Sequence, residues 1–243
     1  MPDAKNNRAR LLGSVGLLVG LASIGGVALS AFGYRQDWWS VTRALAISEY
    51  AAYAAILSFL VSAAAIFHAV SRRRRGALLP ATLGLLAALP ILAMAAGWEY
   101  ATRTTPPIND ISTDTENPPV FWDTPTPTDY PAGNASAQHA AYPDVAPLEV
   151  SLAPADAFTL ARALVRDRGW EILAEDESEG RIEAVATSFL YGFKDEVAIR
   201  VTEIDTGARI DLRSRSRLGR IDRGANAKRI RTFLADLSKK AQP

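Results

Sequence analysis

The sequence contains no cysteine and only two histidines, His68 and His139. Disulfides, thiolate nucleophiles and zinc–thiolate centres are therefore excluded. The missing cysteine fits either side of a membrane and does not place the chain. His68 lies in an apolar run and His139 in a Pro/Ala-rich stretch, which leaves no basis for a Ser-His-Asp triad or a multi-histidine metal site. No metal and no cofactor are expected. Charge is missing from three long stretches, Leu11–Phe32, Tyr50–Val70 and Gly76–Trp98. Each has 21 to 23 residues, and a helix needs about 20 to cross the hydrocarbon core. Inside lipid the backbone must satisfy its own hydrogen bonds, so three transmembrane helices are expected, at about 11–32, 50–70 and 76–98.

Flanking charge orients these helices. Lys5, Arg8 and Arg10 precede the first run, and Arg72–Arg75 separate the second from the third. The other flanks carry only Arg35, Arg43 and Arg103. Basic residues favour the cytoplasmic side, so the N-terminus is expected inside and residues 101–243 outside. In a bacterium this is a multi-pass inner-membrane protein with a periplasmic C-terminal domain. Trp38, Trp39, Trp98 and Tyr100 fall at the same outer interface, where amphipathic rings prefer to lie. The first run has a competing reading as a signal peptide cleaved near Ala28-Leu29-Ser30, although it is longer than an ordinary signal core. Gly16 and Gly20 form a GxxxG pattern, which packs helices closely either within the bundle or in a homo-oligomer.

Acidic residues are scarce at the other end of the chain. Residues 209–243 hold 11 basic and 3 acidic groups, whereas residues 101–208 hold 7 basic and 19 acidic. Opposite charge in adjoining parts favours internal pairing over a purely external role. The segment 104–150 carries nine of the fourteen prolines, so regular structure should be sparse there. Yet "PPINDISTDTENPPVFW" mixes apolar side chains with turn formers, which predicts an extended segment packed along a folded body. Thr124–Ala146 looks looser.

From Ser151 the pattern is regular. Pro154–Arg168 has helical spacing, with Phe158, Ala161, Leu164 and Val165 on one face and Gly169 at its end. Strands are predicted at 170–174, 180–190, 196–203 and 209–217, and a second helix at 222–239. The expected fold is α+β: an antiparallel meander of about four strands with two flanking helices. Strand alternation puts Arg213, Arg215 and Arg217 on one face, about 7 Å apart. Such a ladder needs anions, supplied either by Asp110, Asp114 and Glu116 or by a ligand. Asp110, Thr113, Asp114, Tyr191, Arg213, Arg215, Arg217 and Asn226 are the candidate ligand-binding residues.

The blocks "PPINDISTDTENPPVF", "YGFKDEVAIRV" and "DLRSRSRLGRIDRGANAKRIRTFLADL" together resemble the bacterial Domain of Unknown Function 1499 family, over roughly Thr105–Leu237. The resemblance implies one domain that includes "NDISTD", and it carries no activity or catalytic residue to transfer. Two functions remain. One is an envelope domain that binds an anionic ligand, a lipid or an envelope protein. The other is an enzyme with an Asp/Arg site, for which no activated nucleophile, phosphate-cradling loop or metal spacing is present. Nucleic-acid binding by the basic C-terminus would need the opposite topology and is not expected.

Overall fold

The computed structural model describes residues 2–72, 75–124 and 129–242. Arg73 and Arg74 of the basic loop, and Pro125 and Pro127, lie outside the described residues. The chain divides into two units, Met1–Tyr100 and Ala101–Pro243.

The first unit is helical: α1 (Pro2–Arg35), α2 (Val41–Ser71) and α3 (Leu78–Thr104), with a 3-10 turn at Arg75–Ala77 before α3. The helices outrun the uncharged stretches because their polar flanks continue the same backbone bonds. Their apolar windows reach mean hydropathies of 2.1, 2.0 and 2.1, so all three are long and apolar enough to cross a membrane. Without water to drive burial, such helices associate through small residues that let backbones approach. Gly16 and Gly20 do this within the chain. A Cβ on Gly20 would stand 2.8 Å from the Ser58 hydroxyl and 3.0 Å from the Gly84 carbonyl oxygen. The Ser58 hydroxyl is shared between the carbonyl oxygens of Gly16 (2.7 Å) and Gly84 (3.2 Å), which ties α1, α2 and α3 together.

The second unit contains β1 (Asp110–Ser112), α4 (Asn134–Ala141), β2 (Leu148–Val150), α5 (Pro154–Asp167), β3 (Glu171–Asp176), β4 (Arg181–Thr187), β5 (Lys194–Ile204), β6 (Gly207–Ser216) and α6 (Ala225–Lys240). The sheet is antiparallel, in the order β1-β6-β5-β4-β3, with β2 also on β6. It has six strands rather than the four expected. β1 pairs with residues 213–215 and β2 with 208–210, so these two short strands lie along one edge of β6. Three-residue strands are too short to show a period, which hid both. The stretch expected to be loose contains α4. There Gln138 is fully buried: its amide nitrogen donates to the Ser112 carbonyl (2.7 Å) and its oxygen accepts the Ser112 N–H (3.0 Å). One side chain thus satisfies backbone groups of β1 that would otherwise be orphaned.

The helices α5 and α6 cover one sheet face. Phe158, Leu164 and Val165 of α5 and Ile230, Phe233 and Leu237 of α6 pack on Ile182, Val197, Ile199, Ile210 and Leu212. Gly169, at φ +66°, ends α5 in the left-handed conformation that residues with a Cβ adopt at a cost. The same alternation that sends Ile210 and Leu212 inward sends Asp211, Arg213 and Arg215 to the opposite face. That second face is charged, and the segment 113–124 lies over it.

Candidate functional site

The charged face is built by register. Arg215 stands directly across from Glu196, and Asp211 across from Arg200, on the β5–β6 ladder. Asp110 of β1 lies across from Arg215, one diagonal step from Arg213. The planar guanidinium of Arg213 meets the Asp110 carboxylate through two parallel bonds, Nε to Oδ1 (3.0 Å) and Nη2 to Oδ2 (2.8 Å). Both side chains are 1% exposed. Arg213 also donates to the Pro119 carbonyl (3.3 Å) and lies against the rings of Phe121 and Tyr130. Tyr130 responds to this setting: burial pushes its phenol up to about 12, the Asp110 charge adds to the rise and Arg213 opposes it.

Arg215 and Arg217 meet a strand acid rather than the acids of the 109–116 segment. Arg215 Nε donates to Glu196 Oε2 (3.0 Å) and Arg217 Nε to Glu196 Oε1 (2.8 Å), while the Thr124 hydroxyl also bonds Glu196. Glu183, fully buried on β4, accepts the N–H groups of Trp122 (2.7 Å) and Asp123 (2.9 Å). The strap 113–124 is therefore held by carboxylates of the sheet, and Phe121 lies over the guanidinium groups of both Arg213 and Arg215. Glu183 and Glu196 were not singled out from the sequence. The signal was present: both alternate with core residues on their strands and so share the arginine face.

Burial acts to raise the Glu196 carboxyl, but the bonds from Thr124, Arg215 and Arg217 outweigh it and hold the group below the usual glutamate range. A depressed folded value means stability that is present above the unfolded value and lost as pH falls through the folded one. We expect the domain to lose stability on acidification, as pH falls from the usual glutamate range through the lower folded value. Glu196→Gln should lower stability at neutral pH and flatten this decline, so that the two curves converge in acid. Urea midpoints measured across pH test this; a constant offset at every pH would remove Glu196 as the titrating group. Asp222 has the opposite sign. Burial raises its carboxyl against the bonds from the Asn226 and Gly224 amides, so its contribution is present at low pH and is lost as pH rises through its folded value.

The eight candidate residues do not form one constellation. Asp110, Arg213, Arg215 and Arg217 form the covered network. Thr113 extends it: its hydroxyl accepts the Leu212 N–H (2.9 Å) and donates to Asp211 (3.0 Å). Asn226 lies on the helix side of the sheet, fully buried, donating to the Asn109 carbonyl (2.9 Å) and the Ser216 hydroxyl (3.0 Å) and accepting from Ser214 (2.7 Å) and Arg229. Tyr191 belongs to the β4–β5 loop, where its ring stacks on Phe193 at 5.1 Å. Among the described residues no group of three or more His, Cys, Asp or Glu gathers as metal ligands would.

Asp114 leads to an open part of the same face. It accepts the amides of Glu116 (3.1 Å) and Asn117 (2.8 Å) and pairs with Arg209 (3.0 Å). Asp211 pairs with both Arg200 (3.1 Å) and Arg209 (3.1 Å). Together with Asn117 and Thr202 these groups line a depression of about 280 Å³. Arg209 is one-third exposed there, and the buried Nε–H of Arg200 has no hydrogen-bond partner among the described residues. A second depression, about 390 Å³ between α6 and residues 144–148, has a largely apolar lining, and its rim charges Arg231 and Asp144 already pair.

Three helices long and apolar enough to cross a membrane, followed by a sheet with helices on one face and an ion-paired strap on the other, define the class: an α+β domain behind a candidate membrane anchor. The chain belongs to the family described as protein of unknown function (DUF1499), whose model matches residues 110–237. That span opens on the first residue of β1 and closes in α6, so the strap and its carboxylate partners are part of the family domain. A search of curated proteins finds no relative that matches the chain.

Proposed function

We propose that this is a bacterial inner-membrane protein whose extracytoplasmic domain binds a small polar or anionic ligand in the Asp114–Arg200–Arg209 depression, without chemical turnover. The arginine ladder is its frame and the depression is its site. The observation that carries this reading is an open, charged hollow lined by the guanidinium-bearing Arg200 and Arg209, of which Arg209 is one-third exposed. An anionic group seated there would accept charge-assisted bonds from the exposed Arg209 guanidinium. Extracytoplasmic placement is supported by the excess of Lys and Arg at the N-terminus and at Arg72–Arg75.

The test uses the full chain in lipid nanodiscs with inorganic phosphate, glycerol 3-phosphate and N-acetylglucosamine oligomers as probes. At least one probe should raise the melting temperature of the domain. Arg209→Gln should lower the melt without probe only in part, because Asp211 keeps its pair with Arg200, and should abolish the rise. An equal rise in both proteins, or no rise with any probe, would sink the site. Alkaline phosphatase fused at Gln242 should be active in cells; inactivity there would overturn the placement.

A further inference from the structure

One end of the domain combines exposed apolar side chains with unpaired positive charge. Phe189, in the β4–β5 loop, is 95% exposed, and Leu190 and Leu218 are exposed beside it. The Arg217 N–H bonds the Lys194 carbonyl (3.2 Å), which holds the loop that carries Phe189 against the turn that carries Leu218. Lys194 and Arg220, exposed at the same end, make no ion pair among the described residues. Phe189 is thus a large exposed apolar side chain at the same end of the sheet as two exposed cations. This combination of apolar tip and basic rim is the one that binds the boundary between headgroups and acyl chains.

Two further observations choose a bilayer over other occupants. The first is the tether. Only residues 105–109 separate α3 from β1, a reach of at most about 18 Å. Their far end is fastened to this same edge of the domain: Asn109 accepts the Ser216 N–H (2.9 Å) and donates to the Gly219 carbonyl (2.6 Å), and Ile108 accepts the Asp222 N–H (3.2 Å). Residues 108 and 109 are thus fastened beside Leu218 and Arg220, a few residues in sequence after a helix long and apolar enough to span a membrane. The second is polarity of charge. The opposite end of the meander, at the β3–β4 and β5–β6 turns, exposes Asp176, Glu203 and Asp205. An anionic lipid surface attracts the first end and repels the second.

We propose that the 188–194 loop and the 217–220 turn form a lipid-contacting edge. Through it the domain rests on the anionic headgroup surface of the bilayer that its own helices cross, with Phe189 and Leu218 entering the acyl boundary. Lys194 and Arg220 lie at headgroup level. The proposal is independent of the ligand depression, which is lined by the other end of the β5–β6 ladder.

The chain has no cysteine, so one introduced cysteine reports a single position. Full-length Leu218→Cys labelled with bimane is placed in nanodiscs of phosphatidylcholine and phosphatidylglycerol that carry a nitroxide high on the acyl chain. Asp205→Cys is the reference at the opposite end. Quenching at 218 should exceed that at 205 at least twofold. Adding Phe189→Ser, or Lys194→Glu with Arg220→Glu, should bring it to the level of 205. The charge variants should matter less in nanodiscs of phosphatidylcholine alone. Circular dichroism confirms that each variant is folded, which the exposure of all three side chains favours. Equal quenching at 218 and 205 overturns the proposal. So does a label at 218 that is shielded from aqueous iodide yet not quenched by lipid, which would assign the edge to a protein or to a second copy.

Discussion

Replacing Asp110 with alanine should cost the soluble domain about 3–5 kcal/mol, because a buried charge is left without its partner. Arg213 is 1% exposed and cannot swing out to water. Its two bonds to the Asp110 carboxylate (3.0 and 2.8 Å) set an opposite charge against it; the Pro119 carbonyl is neutral and 3.3 Å away. Pulse proteolysis of the full chain in detergent across a urea series reads domain unfolding without disturbing the helices. Removing both charges separates the orphaned ion from lost packing. Asp110→Leu with Arg213→Met should recover more than half of the loss, since an apolar pair of similar volume avoids the penalty. A single-variant loss under about 1 kcal/mol, the range of exposed pairs, would mean that water reaches Arg213.

Phe121→Ala should be nearly as severe, at about 3–5 kcal/mol, the range for truncating a buried phenylalanine. The ring is 1% exposed, with the Arg213 and Arg215 guanidinium carbons 4.8 and 4.5 Å from its centre. It excludes water from both ion pairs and contributes its own quadrupole to the cations. Phe121→Leu isolates the second part: it keeps an apolar cover and should lose about 0.5–2 kcal/mol for the cation–π contacts. The same proteolysis series measures both. Equal losses for leucine and alanine would show that covering alone does not hold the strap.

These two results concern residues that were visible in the sequence for different reasons. Phe121 stood out as an aromatic in a proline-rich segment, and its docking followed from the cost of leaving it in water. A row of arginines needs anions, for which the sequence offers Asp110, Asp114 and Glu116 or a ligand, and Asp110 meets Arg213 through two bonds. The expectation that the 109–116 acids would serve the whole row was too broad. Asp114 turns instead to Arg209, because Thr113 fastens to Asp211 and Leu212 and carries the following residues toward the other end of β6.

The helices α1, α2 and α3 followed from composition, because crossing lipid depends on the length of an apolar run and on little else. The stripes of α5 and α6 and the alternation of β3 to β6 followed from period, a property of neighbours in the chain. Alternation also told which face each arginine takes. It could not tell which carboxylate waits there. Arg215 meets Glu196 because β5 and β6 pair in one register, and that register is set by the whole core. β1 and β2 exist only because β6 offers its free edge, and Gln138 is an amide in a loose stretch until Ser112 is placed beside it. Local pattern is written in adjacent residues. A partner 103 positions away, as Asp110 is from Arg213, is chosen by the packing of everything between them.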